Sequence, residues 1–185
     1  MSTNTTTTTT TLTPGSWAIE PSHSEIGFTV RHLGLSKVRG RFNSFSGTVD
    51  IADQLSDSNI EVLIDLSSVD TNNDQRDGHL RSTDFFDIES HPQMAFTSTG
   101  IDASGSEGTI RGTLTINGVS RTVDLDTEFH GVADDAYGTK RAGFSATGTI
   151  SRKDFGVDFN VPLDAGGVLI GDKVTIELEI QIVPA

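Results

Sequence analysis

The 185-residue chain has no cysteine, which excludes disulfides, thiolate nucleophiles and thiolate metal sites together. No apolar run approaches the roughly 20 residues that a membrane-spanning helix needs. Cations are scarce: 13 Lys and Arg stand against 26 Asp and Glu, a formal net charge of −13. Because the carboxylates are spread along the chain, the surface repels nucleic acid and anionic membrane at long range. Neither is expected as a partner through bulk attraction, and no membrane insertion is expected. Acidity of this kind ordinarily keeps a protein in solution. The polar threonine tract from Met1 to Thr13 lacks the basic start and apolar stretch of a secretory signal, so a cytoplasmic location is the default expectation.

What the chain does have is glycine (19 residues), phenylalanine (ten) and abundant Ser and Thr, a mixture suited to strands and turns. Residues 1–14 read as a disordered leader ended by Pro14-Gly15, and residues 15–185 as one folded domain. Within that domain, period-two alternation dominates. Ile26, Phe28, Val30 and His32 share one face of a strand, Ile60, Val62, Ile64 and Leu66 another, and Ile110, Gly112, Leu114 and Ile116 a third. Val123 to Phe129, Ala142 to Ile150 and Val174 to Ile182 repeat the pattern, with polar partners between. None shows the 3.6-residue repeat of a helix.

Less regular strands are expected over Trp17 to Glu20, Val38 to Ile51 and Met94 to Ile101. In the second, the apolar phase resets between Phe42 and Phe45, which predicts a bulge or bend near Asn43-Ser44. Asn117-Gly118 signals a hairpin, with Val119 and Ser120 expected to lengthen its loop. The fold class is therefore all-β, and eight or nine one-sided antiparallel strands can form a sandwich or an eight-stranded barrel, the barrel removing exposed edges. The segment 72–86 breaks the rhythm and reads as a short helix or ordered loop capped by Asn73 or Asp74, with Phe85 and Phe86 tucked beneath it.

The five histidines lack the spacing of a ready metal pair, so no metal or other cofactor is expected. His32 has two open roles: a mouth residue meeting a ligand's polar head, or a buried histidine satisfied by its neighbours. Arg76 and Arg81, clustered with Asp77, His79 and Asp84, have two as well: donors to a ligand's oxygens, or pins holding the loop to the rim. Ser24 follows His23 but lacks a nucleophile-elbow pattern, and no catalytic residue is assigned. Phe28, Phe42, Phe45, Phe96, Phe129 and Phe144 share the inner face, filling a core or lining a tube. Gly40, Gly47, Gly112, Ala146 and Gly148 at inward parity leave room among them.

Three stretches, Trp17-Ala18-Ile19-Glu20-Pro21-Ser22-His23-Ser24-Glu25-Ile26-Gly27-Phe28, Arg39-Gly40-Arg41-Phe42 and Arg76-Asp77-Gly78-His79-Leu80-Arg81-Ser82-Thr83-Asp84-Phe85-Phe86-Asp87, resemble the YceI-like polyisoprenoid-binding family. Ser151-Arg152-Lys153-Asp154-Phe155-Gly156 and Gly171-Asp172-Lys173-Val174 extend the resemblance to residues 16 to 183. It implies a lipocalin-like antiparallel barrel, commonly dimeric, whose interior binds a long-chain apolar lipid such as a polyisoprenoid, isoprenoid quinone or fatty amide without acting on it. Many members are periplasmic, and the threonine tract departs from their secretion signal. Carried onto this chain, it puts Arg76, His79 and Arg81 near the interior's opening and Arg152 and Asp154 near a strand end. The expected ligand contacts are Phe28, Val30, His32, Phe42, Phe45, Ile64, Leu66, Arg76, His79, Leu80, Phe85, Phe86, Phe96, Leu114, Phe129 and Phe144. The competing reading is an enzyme with a His/Asp or metal site at the barrel mouth.

Overall fold

The computed structural model describes residues 12–185. Residues 1–11 of the expected leader lie outside the described residues. Leu12 packs beside Trp17, whose indole Nε1–H donates to the Thr13 carbonyl at 3.1 Å.

Among the described residues, eleven strands form one antiparallel sheet: β1 (Gly15–Ile19), β2 (Glu25–His32), β3 (Ser36–Phe42), β4 (Phe45–Ile51), β5 (Asn59–Asp65), β6 (Val69–Asp70), β7 (Gln93–Ser104), β8 (Glu107–Ile116), β9 (Val119–Asp134), β10 (Lys140–Ser151) and β11 (Ile170–Pro184). The order β1-β4-β5-β7-β8-β9-β10-β11 returns on itself because β1 also pairs with β11, which closes a barrel. Three of its eight staves are each broken in two, so that β2, β3 and β6 continue the walls begun by β1, β4 and β5.

Each break has a local cause. Pro21 cannot continue a ladder, and Glu20 caps a 3-10 turn over Pro21–His23 between β1 and β2. The expected bend falls at Asn43-Ser44, where Ser68 satisfies the freed amides: its carbonyl accepts from Asn43 N–H and its Oγ from Ser44 N–H. Ser68 itself belongs to the turn Leu66–Ser68 that separates β5 from β6, so two corners brace each other.

Two bulges keep apolar side chains inside where strict alternation would turn them out. His130 is the extra residue of β9 opposite Gly143-Phe144, which puts both Phe129 and Val132 against the core. Thr99 plays the same part in β7, between Phe96 and Ile101. The β8–β9 hairpin corrects the expected longer loop: Ile116 pairs with Val119, leaving a two-residue turn in which Asn117 and Gly118 have φ of 54° and 72°. Both residues in the left-handed region define the type I′ turn, whose twist matches that of the strands.

The helix α1 (Asp74–Arg81) starts at Asn73, whose side-chain oxygen accepts from Arg76 N–H at 2.9 Å. It lies across one barrel end, with Phe85 buried and the Phe86 amide held by the Leu80 carbonyl. One core cluster packs near that end, around Phe42, Leu66, Val69, Phe85 and Phe155. A second joins the seam between β1 and β11 around Trp17, Ile19, Val49, Ala142 and Ile182. Between the clusters, inward side chains such as Val62, Phe96, Ile110, Ile176 and Leu178 are only half-buried.

Candidate functional site: a hollow apolar interior

Those half-buried side chains face a cavity of about 910 Å³ inside the barrel. The wall explains why it stays open. A Cβ on Gly40 would fall 2.3 Å from the Phe28 ring, and one on Gly112 would fall 2.3 Å from the Phe96 ring. The far end of each ring occupies the space that a side chain would take on the glycine of the neighbouring strand. Gly47 and Gly148 take Ile19 and Leu125 in the same way. The inward glycines thus accommodate wall side chains, which leaves more of the lumen open.

Of the residues expected from the sequence, Phe28, Val30, His32, Phe42, Ile64, Arg76, His79, Leu80, Phe85, Phe86, Phe96, Leu114, Phe129 and Phe144 line this cavity. Phe45 and Leu66 do not. Phe45 packs between the two core clusters, and Leu66, fully buried, sits in the 3-10 turn where the phase of β5 has ended. The sequence reading missed Phe155, Val157, Phe159, Leu169 and Ile170, which line the cavity at the α1 end. Val157 and Phe159 alternate as a strand would, a signal too short to separate from loop.

The polar rim divides by role. His32 is exposed at the mouth and not buried among neighbours. Arg76 donates from Nε to Thr71 Oγ1 and from Nη2 to the Thr71 carbonyl, both at 2.7 Å. Thr71 is in turn held by the buried Asp77 carboxylate through its amide (2.9 Å) and hydroxyl (2.6 Å). Arg76 pins its loop while keeping further N–H groups of its fork at the cavity wall. Arg81 is spent on the Ser67 and Val69 carbonyls. His79 bonds Asp84 at 2.8 Å and packs edge-on against Phe85 and Phe159, both ring centroids 5.0 Å away.

Arg152 is buried in a 3-10 turn (Arg152–Phe155) after β10. It donates to the carbonyls of Val157, Phe159 and Gly171 at 2.9 Å and of Ile170 at 3.3 Å, stitching the 157–170 loop over the barrel end. Burial pulls its pKa below the ordinary arginine value, opposed by Asp172 and Asp158, and the four carbonyls compensate the desolvated cation. Asp154, on the same turn, is exposed. Among the described residues, no three His, Asp or Glu side chains converge as a metal site would require. No helix among them is long and apolar enough to cross a membrane.

A closed antiparallel barrel with an apolar-lined interior, a helix over one end and a polar rim defines the lipocalin-like class of barrel. The chain belongs to the YceI-like domain family, whose model matches residues 17–182. A UPF0312 protein of Pectobacterium atrosepticum is 45% identical over 148 residues, covering 80% of this chain and 75% of the relative. Among solved structures, BcnA of Burkholderia cenocepacia superposes with a TM-score of 0.75 at 23% identity, over 88% of this chain and 98% of BcnA. A polyisoprenoid binding domain from Saccharophagus degradans gives 0.70 at 18% identity, over 91% and 98%. These two likenesses show the fold.

Proposed function

We propose that the barrel binds one long-chain isoprenoid lipid, tail inside, and acts as a carrier or store without chemistry upon it. The observation that carries this reading is the cavity of about 910 Å³ inside the barrel with an almost wholly apolar wall. At roughly 30 Å³ per heavy atom it takes a chain of about 30 carbons, or six five-carbon units. The solved Saccharophagus degradans domain, described as polyisoprenoid binding, supports the same class of ligand.

The rims favour one orientation. Arg31, His32, Arg76, His79 and Arg152 belong to the wall at the α1 end, whereas Asp53, Asp102 and Glu107 belong to it at the other. An anionic or carbonyl head is attracted to the first rim and repelled from the second, so the head meets the free N–H groups of Arg76 beside His32 and His79. Delipidated protein titrated with polyprenyl phosphates of increasing length tests this. Affinity should rise with each unit to about six and then level off. Absence of saturable binding at every length would contradict the proposal, and binding that accompanies turnover would favour the enzyme instead.

A further inference from the structure

The hairpin joining β2 to β3 departs from the rest of the molecule in charge. The 24 residues from Ile26 to Val49 contain Arg31, Lys37, Arg39 and Arg41 and no carboxylate, within a chain of net charge −13. All four cations are exposed, opposite the inward Val30, Val38, Gly40 and Phe42. Arg41 approaches Asp70 at 3.8 Å, and Arg31, Lys37 and Arg39 have no ion pair among the described residues. Lys173 continues the patch on β11, next to Val174, the register partner of Val30.

The tip of this hairpin is apolar and strained. Leu33 has φ of 55° and Gly34 of 69°, with the Leu35 amide closing the turn on the His32 carbonyl. A leucine held in the left-handed region costs conformational energy, which its partial exposure repays only in part. Leu33 is 39% and Leu35 79% exposed. The Leu33 amide donates to the Leu169 carbonyl, and Leu169 donates to Val161, so a second loop carrying Val161 (41% exposed) and Val168 (46%) stands beside the tip. His32, Phe159 and Leu169, on these same two loops, line the cavity.

We propose that the 33–35 tip and the 161–168 loop dock the barrel mouth on an anionic phospholipid surface. The four apolar side chains enter the headgroup layer while Arg31, Lys37 and Arg39 meet the phosphates. Shallow apolar insertion combined with clustered cations is the chemistry of peripheral membrane attachment. The carboxylates around the patch are Asp70 beside Arg41, Glu177 beside Thr29 on β2, Asp172 next to Lys173 on β11, Asp158 and Asp164 on the second loop, and Asp74 and Asp84 across the rim. At physiological salt, charge acts over about 8 Å, so the cations in contact outweigh the distant acidic surface that repels the membrane from afar. The docking rests on the lipid-binding reading only for its purpose, which is to open the mouth towards the source of the cargo.

The test is sedimentation of the full chain with vesicles of mixed phosphatidylglycerol and phosphatidylcholine, against pure phosphatidylcholine. Binding is expected to the anionic vesicles only and to weaken with added salt. Lys37→Glu with Arg39→Glu, and separately Leu33→Ser with Leu35→Ser, should each lower it at least tenfold with circular dichroism unchanged. No binding by the natural chain, or variants that bind equally well, would overturn the proposal. So would variants that abolish a dimer of the free protein, since the patch would then belong to a second copy. A lipid-free organic extract would sink the cargo reading and leave the vesicle result standing.

Discussion

Gly40 is the residue on which the open lumen can be tested most simply. The nearest atoms to an added Cβ all belong to the Phe28 ring, so Gly40→Ala forces the ring off the wall and into the cavity. Overpacking of this kind costs about 1–3 kcal/mol and takes ligand volume with it. Urea unfolding should show the loss of stability, and the optimum in a polyprenyl length series should move to shorter chains. Arg152 tests what orders the 157–170 loop. Arg152→Met takes the donor from the Val157, Phe159 and Gly171 carbonyls, Ile170 keeping that of Asn160, and a loss of about 3 kcal/mol is expected by the same unfolding measurement. Arg152→Lys should recover little, since an ammonium cannot reach carbonyls arranged around a planar fork.

At the scale of elements, the 3-10 turn after β1 links stability to pH. Its cap, Glu20, accepts hydrogen bonds from Ser22 and from the His23 amide and ring, and has Arg141 at 3.6 Å. The hydrogen bond from the Ser22 side chain is the largest cause that holds the carboxyl near 2, from an ordinary 4.5. The unfolded chain therefore takes up this proton first as pH falls. The stabilisation is complete above pH 4.5 and is lost between 4.5 and 2. Glu20→Gln should cost about 1 kcal/mol at pH 7, and its gap from the natural chain should shrink through that window in urea titrations.

Elements were also what the sequence displayed best. Alternation marked β2, β5, β8, β9, β10 and β11, the odd step between Phe42 and Phe45 marked the corner, and Asn73 or Asp74 marked the start of α1. The bulges at Thr99 and His130 were hidden because a bulge changes parity without leaving a residue signature of its own. The 157–170 loop was illegible for a related reason. Its order comes from Arg152 and from Asn160, whose side chain accepts from and donates to the Ile170 backbone, which are long-range contacts that no local pattern announces. Parity selected most of the cavity wall and failed for Leu66, where the strand had already become a turn.

For the whole molecule, the account rests on a division of labour between two core clusters and the space between them. Trp17, Ile182 and Ala142 pack along the seam, and Phe155, Leu66 and Val69 pack in the wall near α1, so the most fully buried side chains lie in these two clusters. The middle is then free to remain hollow, and filling it with an apolar chain removes water-accessible wall and adds dispersion contacts. A bound lipid should therefore raise the unfolding temperature of the delipidated protein, progressively with ligand concentration.

Native mass spectrometry of the protein as purified, paired with analysis of its organic extract, tests the central claim most directly. The account predicts one added mass per barrel, matched in the extract by an isoprenoid of about 30 carbons. A chain that flies at its bare sequence mass, gives a clean extract and takes up no polyprenyl ligand on addition would contradict it.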